Sequence, residues 1–144
     1  MAKYLNFHFN LHDPETKIQE VIVPTLENNF ISHSFIQTPI YDNDTNIKIG
    51  YKVSDDYVQK LSENLYSVRI NSTYHFLHNF QNGGSISWQY VFVNDKPNFY
   101  YPLNVSNASN IISGTGPYLG KSGIVSLVAL ENGIRNVTIG FNFF

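Results

Sequence analysis

From Tyr4 to His12 apolar and polar side chains alternate without a break: Leu5, Phe7, Phe9 and Leu11 fall on one face, Tyr4, Asn6, His8, Asn10 and His12 on the other. This period-two pattern predicts a strand with two chemically distinct faces. Pro14 interrupts it, KIQEVIV from Lys17 predicts a short second strand closed by Pro24, and FISHSFIQT (30–38) alternates again. A polar turn, YDNDTN, hands over to the alternating IKIGYKV (47–53). The next stretch, SDDYVQKLSENL (54–65), predicts a helix: Ser54 suits its cap, Asp55 and Asp56 its first turn, and Tyr57, Val58, Leu61 and Leu65 share a helical face. The longest alternation follows, LYSVRINSTYHFLHNF (65–80); QNGG then predicts a hairpin turn, answered by SISWQYVFV (85–93) with Ile86, Trp88, Tyr90 and Phe92 on one face. A Pro- and Asn-rich connection over 95–110 leads to IISGTGPYLGKSGIVSLVAL (111–130), a turn at ENG, and a last strand in RNVTIGFNFF (135–144).

Roughly eight strands joined by short turns, without crossover helices, predict an all-β chain folded as an up-and-down barrel or a sandwich. At 144 residues, 42% of them apolar, there is room for one domain with a substantial core, spanning 1–144, and none for a second. Ten Tyr and eleven Phe add to the preference for sheet. A formal charge of −2 provides no basic field for a phosphate backbone, which excludes nucleic acid as a natural partner. Without cysteine there is no disulfide, thiolate metal site or thiol nucleophile, so the fold must stand on packing. No apolar leader and no stretch approaching a membrane span is read in the chain, and the expectation is a cytoplasmic protein with no membrane partner. The Asn-x-Ser/Thr triplets, the first at Asn43, have no meaning without secretion.

Several local patterns invite chemistry and do not hold it. GTGPYLGKSG resembles a phosphate cradle, but a β-branched strand follows it where a helix is required, so its glycines serve turns. DNDTN offers Asp42 and Asp44 to a cation, yet Ile47 and Val53 stand where a calcium loop needs Gly and Glu. His75 and His78 fall on opposite faces of a strand, and no metal site is expected. His8 and His12 share a face with Asn10 between them. Gly-x-Ser-x-Gly is absent, which removes the usual frame of a serine hydrolase.

The order of motifs resembles the barrel superfamily shared by the allene oxide cyclases, the plant dirigent proteins and bacterial spirotetronate cyclases. It is carried by an opening strand ending in LHD, the NSTYHF and GGSISWQY strands, NIISGTGPYLGKSG and a closing NVTIGF, over nearly the whole chain. The resemblance implies an eight-stranded antiparallel barrel, often trimeric, whose lumen binds a hydrophobic molecule and steers its cyclisation or coupling by shape. Two alignments compete at strand 1. In one, His8 and Asn10 fall where the cyclases place a lumen Glu and an Asn that helps hold a water on the epoxide oxygen. In the other, His12 and Asp13 match the dirigent His-Asp pair and Asp13 becomes the lumen acid. His12 and Asp13 point opposite ways in a regular strand, so a bulge or the strand end must intervene if both alignments hold; the expectation is that the polar face of strand 1 turns inward. The dirigent Arg after the GTG segment corresponds to Ser122, and the cyclase Glu to His8, so neither parent chemistry carries over intact.

The expectation is therefore a barrel that binds a lipophilic small molecule and acts as a cofactor-free isomerase or cyclase, with His8, Asn10 and Asp13 polarising an oxygen. His12, Tyr74, Phe76, Trp88, Tyr90 and Phe92 would line the pocket. The alternative is a non-catalytic oligomeric building block that has kept the barrel. Both anticipate a homo-oligomer, trimer or dimer.

Overall fold

The computed structural model describes residues 3–22 and 30–142; Val23, Pro24 and the last two residues of the final predicted strand lie outside them. The strands are β1 (Tyr4–Asn10), β2 (Lys17–Ile22), β3 (Phe30–Asp42), β4 (Lys48–Ser62), β5 (Leu65–Phe76), β6 (Ser85–Asn94), β7 (Ser106–Thr115), β8 (Gly123–Ala129) and β9 (Ile134–Phe141). From β3 to β9 each strand pairs antiparallel with the next, and β1 lies between β9 and β3, where Phe7 opposes Asp42 and His8 opposes Tyr41. That closes an eight-stranded antiparallel barrel. β2 is the extra strand: it pairs along the same edge of β3 beyond β1, from Lys17 opposite Gln37 to Ile22 opposite Ser32.

Two expectations are corrected. The predicted helix over 54–65 is the second half of β4, paired with β3 through Phe30 opposite Gln59 and with β5 to Ser62 opposite Leu65. Partners on both edges satisfy its backbone, and its side chains alternate with Ser54, Asp56 and Val58 inward, so tertiary pairing overrides a weak local helix signal. The polar face of β1 does not line the barrel: Leu5, Phe7 and Phe9 are at most 3% exposed and point in. The Phe7 ring packs edge-on to Tyr74 and Phe76, with centroids 4.9 and 5.9 Å away. An interior already filled by these rings has no place for the His8 side. The connection predicted over 95–110 is also shorter, because β7 starts at Ser106.

The barrel's two ends differ. At one, a single turn of 3₁₀ helix (Gly116–Tyr118) folds the Tyr118 ring back inside, against Phe76 at 5.4 Å and stacked on Phe141 at 5.7 Å. This tuck requires Gly114, where a Cβ would collide with the Tyr118 carbonyl, and Gly116, which sits at φ +60. The glycine run is thus a fold device that plugs one end. At the other end β1 and β8 finish, β9 begins, and the connection from β6 to β7 crosses the opening. Among the described residues no helix is long and apolar enough to cross a membrane.

Candidate functional site

The connection between β6 and β7 builds the open end. Its FYYP stretch (99–102) sends Tyr101 into the barrel, where the ring stacks against Trp88 at 6.5 Å and Phe92 at 5.9 Å and tilts onto Tyr90 at 6.0 Å. Asn107 holds this loop down. Its fully buried Nδ2 donates to the carbonyls of Pro102, Val105 and Leu127, each at 3.2 Å, and Leu103 forms a bridge with Ala129. Deeper in, Trp88 Nε1 donates to Tyr74 Oη at 2.9 Å, which satisfies both polar tips of the central aromatic layer.

Beside Tyr101 opens a cleft of about 520 Å³, walled by Leu11, Ile18, Phe99, Tyr100, Leu103 and Leu130, with His12 and Glu131 at the rim and Arg135 at its floor. Arg135 is only 4% exposed; its Nη1 donates to the carbonyls of Leu130 (3.0 Å) and Ile134 (3.3 Å). Behind Arg135 and Tyr101 lies a small internal void of about 10 Å³, also bounded by Phe9, Ile36, Lys52 and Asp56. That is about the room one water needs. The inner wall here is polar because β4 turns Lys52, Ser54 and Asp56 inward, with Ser34 of β3 opposite Asp56 and Ser72 of β5 opposite Ser54.

The charges are buried without being paired. The ion pairs found among the described residues, His33 with Asp55 and Lys48 with Glu15, involve only partly exposed side chains away from this wall. Lys52 Nζ sits over the Phe9 ring, 4.9 Å from its centroid. Asp56 Oδ1, the hydroxyls of Ser34, Ser54 and Ser72, and Tyr101 Oη have no hydrogen-bond partner; Ser54 lies near Asp56 and Ser72 near Tyr101 without completing the geometry. Burial pushes the Asp56 carboxyl up to about 6, a rise the neighbouring Lys52 partly offsets. Burial lowers Lys52, against the pull of Asp56 and with the help of Arg135, and it lowers Arg135 as well. Tyr101 is driven well above the ordinary phenol range by its burial. Isolated polar groups this deep are destabilising unless something meets them.

The residues expected from the sequence scatter around this chamber. His8 faces outward and its Nδ1 lies 2.7 Å from Asn43 Oδ1. Asn10 accepts from the His12 amide at 2.8 Å in a turn, and Asp13 accepts from Tyr41 Oη at 2.9 Å and the Glu15 amide at 2.8 Å. His8, Asn10 and Asp13 thus make no common site inside the barrel; only His12 reaches the cleft, at its rim. The aromatic set does face inward. Tyr74, Phe76 and Trp88 are buried core, with Phe76 at the plugged end, while Tyr90 and Phe92 support Tyr101 from below. Lys52, Asp56, Tyr101 and Arg135 were not anticipated. The available signals were a cluster of aromatics in an otherwise polar loop and a strand, β4, whose alternation puts Lys52, Ser54 and Asp56 on one face.

No family model matches the chain, and no curated protein does. Solved structures match its fold. A pyocyanin demethylase superposes with a TM-score of 0.62 at 11% identity, covering 96% of this chain and 99% of that one. Two pterocarpan synthase dirigent proteins superpose with TM-scores of 0.61 and 0.58 at 16% and 15% identity, covering 98% and 96% of this chain and 88% and 91% of theirs. The barrel is therefore of the dirigent-like kind that the order of motifs resembled.

Proposed function

We propose that the protein binds a lipophilic small molecule in the cleft at the open end of the barrel and isomerises or cyclises it without a cofactor. One observation carries this reading: an apolar cleft ends on Arg135 and Tyr101, and behind them a water-sized void holds Lys52 and Asp56, with Asp56 Oδ1 and Tyr101 Oη left without a hydrogen-bond partner. Apolar walls with a few convergent polar groups are the usual make-up of a ligand pocket. Arg135 has donors beyond Nη1 to set against a ligand oxygen, and the Asp56 carboxyl, at about 6, lies behind it across the water-sized void, where one bridging water would let it exchange a proton near neutrality. An isomerisation needs a proton moved between atoms of one substrate, which suits a single such carboxyl. The names of the fold neighbours, a pyocyanin demethylase and a pterocarpan synthase dirigent protein, support a small-molecule reading.

The test is native mass spectrometry of the purified chain against the same sample denatured, with titration of the neutral fluorescent probe N-phenyl-1-naphthylamine. The reading predicts a retained small-molecule mass or saturable probe binding, weakened at least about tenfold in Leu103→Trp, which fills the cleft. The absence of both a retained mass and probe binding in the wild type would refute it.

A second reading, a non-catalytic oligomeric block, draws on a different surface. Val21, Phe35 and Val53, each more than 40% exposed, form an apolar outer face on β2, β3 and β4. Such a face suits a second copy of this chain. Light scattering would show an oligomer that Phe35→Glu dissociates; a wild-type monomer at high concentration would contradict it.

A further inference from the structure

The charge balance of the chamber narrows the class of ligand. Lys52 and Arg135 are both nearly inaccessible, at 3% and 4% exposure, and the buried group facing them from the inner wall is the single carboxylate of Asp56. Basic groups thus outnumber the buried carboxylate two to one in this set. Glu131 lies at the rim and is exposed, so water screens it from the interior. His12 and Tyr100, the other titratable side chains at the rim, are exposed as well. The carbonyls of Leu130 and Ile134 engage only Nη1 of Arg135, which leaves the rest of the guanidinium fork on the cleft floor.

Resting on the lipophilic-ligand reading above, we propose that the site selects an apolar molecule carrying an anionic head, which sets a carboxylate, sulfonate or phenolate oxygen against Arg135 with Lys52 behind it. The apolar body lies along Phe99 and Leu103. A guanidinium recognises an oxyanion through charge-assisted hydrogen bonds that a neutral or cationic head cannot form. An anion also supplies a second acidic partner to the two buried basic groups, which share only Asp56 among the buried described residues.

Two probes with one aromatic body test this: N-phenyl-1-naphthylamine, which is neutral, and 8-anilinonaphthalene-1-sulfonate, which adds a sulfonate. Both are titrated into the full chain at fixed ionic strength and pH 7.5. The expected result is sulfonate binding at least about tenfold tighter, lost with the neutral probe in Leu103→Trp. The ratio of the two affinities should fall to about one in Arg135→Gln and rise in Asp56→Asn, which keeps the shape and removes the competing charge. The wild-type comparison needs no variant, so a poorly folded Arg135→Gln leaves the outcome decidable. Equal affinities, or sulfonate binding that survives Leu103→Trp, would overturn the anionic class while the pocket stands on the neutral probe. Failure of both probes to bind would overturn the pocket itself.

Discussion

The two ends of this barrel are built from similar residues and put to different use. At the plugged end Phe76, Tyr118 and Phe141 stack into one another, and Tyr118 reaches its polar tip out to Gln81 at 3.4 Å. At the open end Tyr101 also enters the barrel as a stacked ring, yet its hydroxyl finds no partner and it borders Lys52, Asp56 and Arg135. One tyrosine completes a core; the other stops short of completing one. A chain that could have closed both ends with aromatics has kept unpaired charge at one of them, and charge retained against stability is where function is to be sought.

The largest effect should come from breaking the plug. Tyr118→Ala removes a buried ring and is expected to cost about 3–5 kcal/mol in chemical denaturation, while probe affinity at the far cleft changes less than about twofold. Loss of binding in step with stability would mean that the ends are not independent. At the open end the sign reverses. Replacing Lys52 and Asp56 together, as Lys52→Met with Asp56→Leu, should raise stability by about 1–4 kcal/mol, because well-packed apolar groups outdo a poorly paired buried charge set. A loss of stability would show that the pair holds the barrel together.

Asp56 gives the comparison a pH axis. Its folded value of about 6 exceeds the ordinary carboxyl value of 3.8, so the folded state holds the proton more tightly. Its contribution to stability is complete below about pH 4 and is lost as pH rises through 6, by at most about 3 kcal/mol. Urea titrations across that window should show the fall in the wild type and a flatter profile in Asp56→Asn; equal slopes would remove Asp56 from the account. The smallest effect is expected outside: His8→Ala removes the exposed contact with Asn43 and a stacking on Tyr41, and should change stability by less than about 1 kcal/mol and leave probe binding untouched.

Much of the barrel was legible because alternation is a local property. The faces of β5 and β6 could be read residue by residue, and so could the hairpin at QNGG, where Gln81, Asn82, Gly83 and Gly84 all take positive φ. What alternation does not carry is which face is inside. In β1 the apolar face is inside and in β4 it is the Lys52, Ser54 and Asp56 face, although both strands read as ordinary two-sided sequences. The idea of a polar stripe turned inward was sound in kind and applied to the wrong strand. The same ambiguity let Ser54, Asp55 and Asp56 pass for a helix cap. Tyr101 was hidden for another reason: a loop residue's burial depends on long-range clamps, here Asn107 and Ala129, that no local pattern records.

The most direct test of the contrast between the ends is ¹H–¹³C NMR of the tyrosine rings during titration with N-phenyl-1-naphthylamine. The account predicts progressive shifts for Tyr101 and its neighbour Tyr90, with Tyr118 unmoved at saturation. Shifts at Tyr118 with Tyr101 unchanged would place the ligand at the plugged end and contradict it.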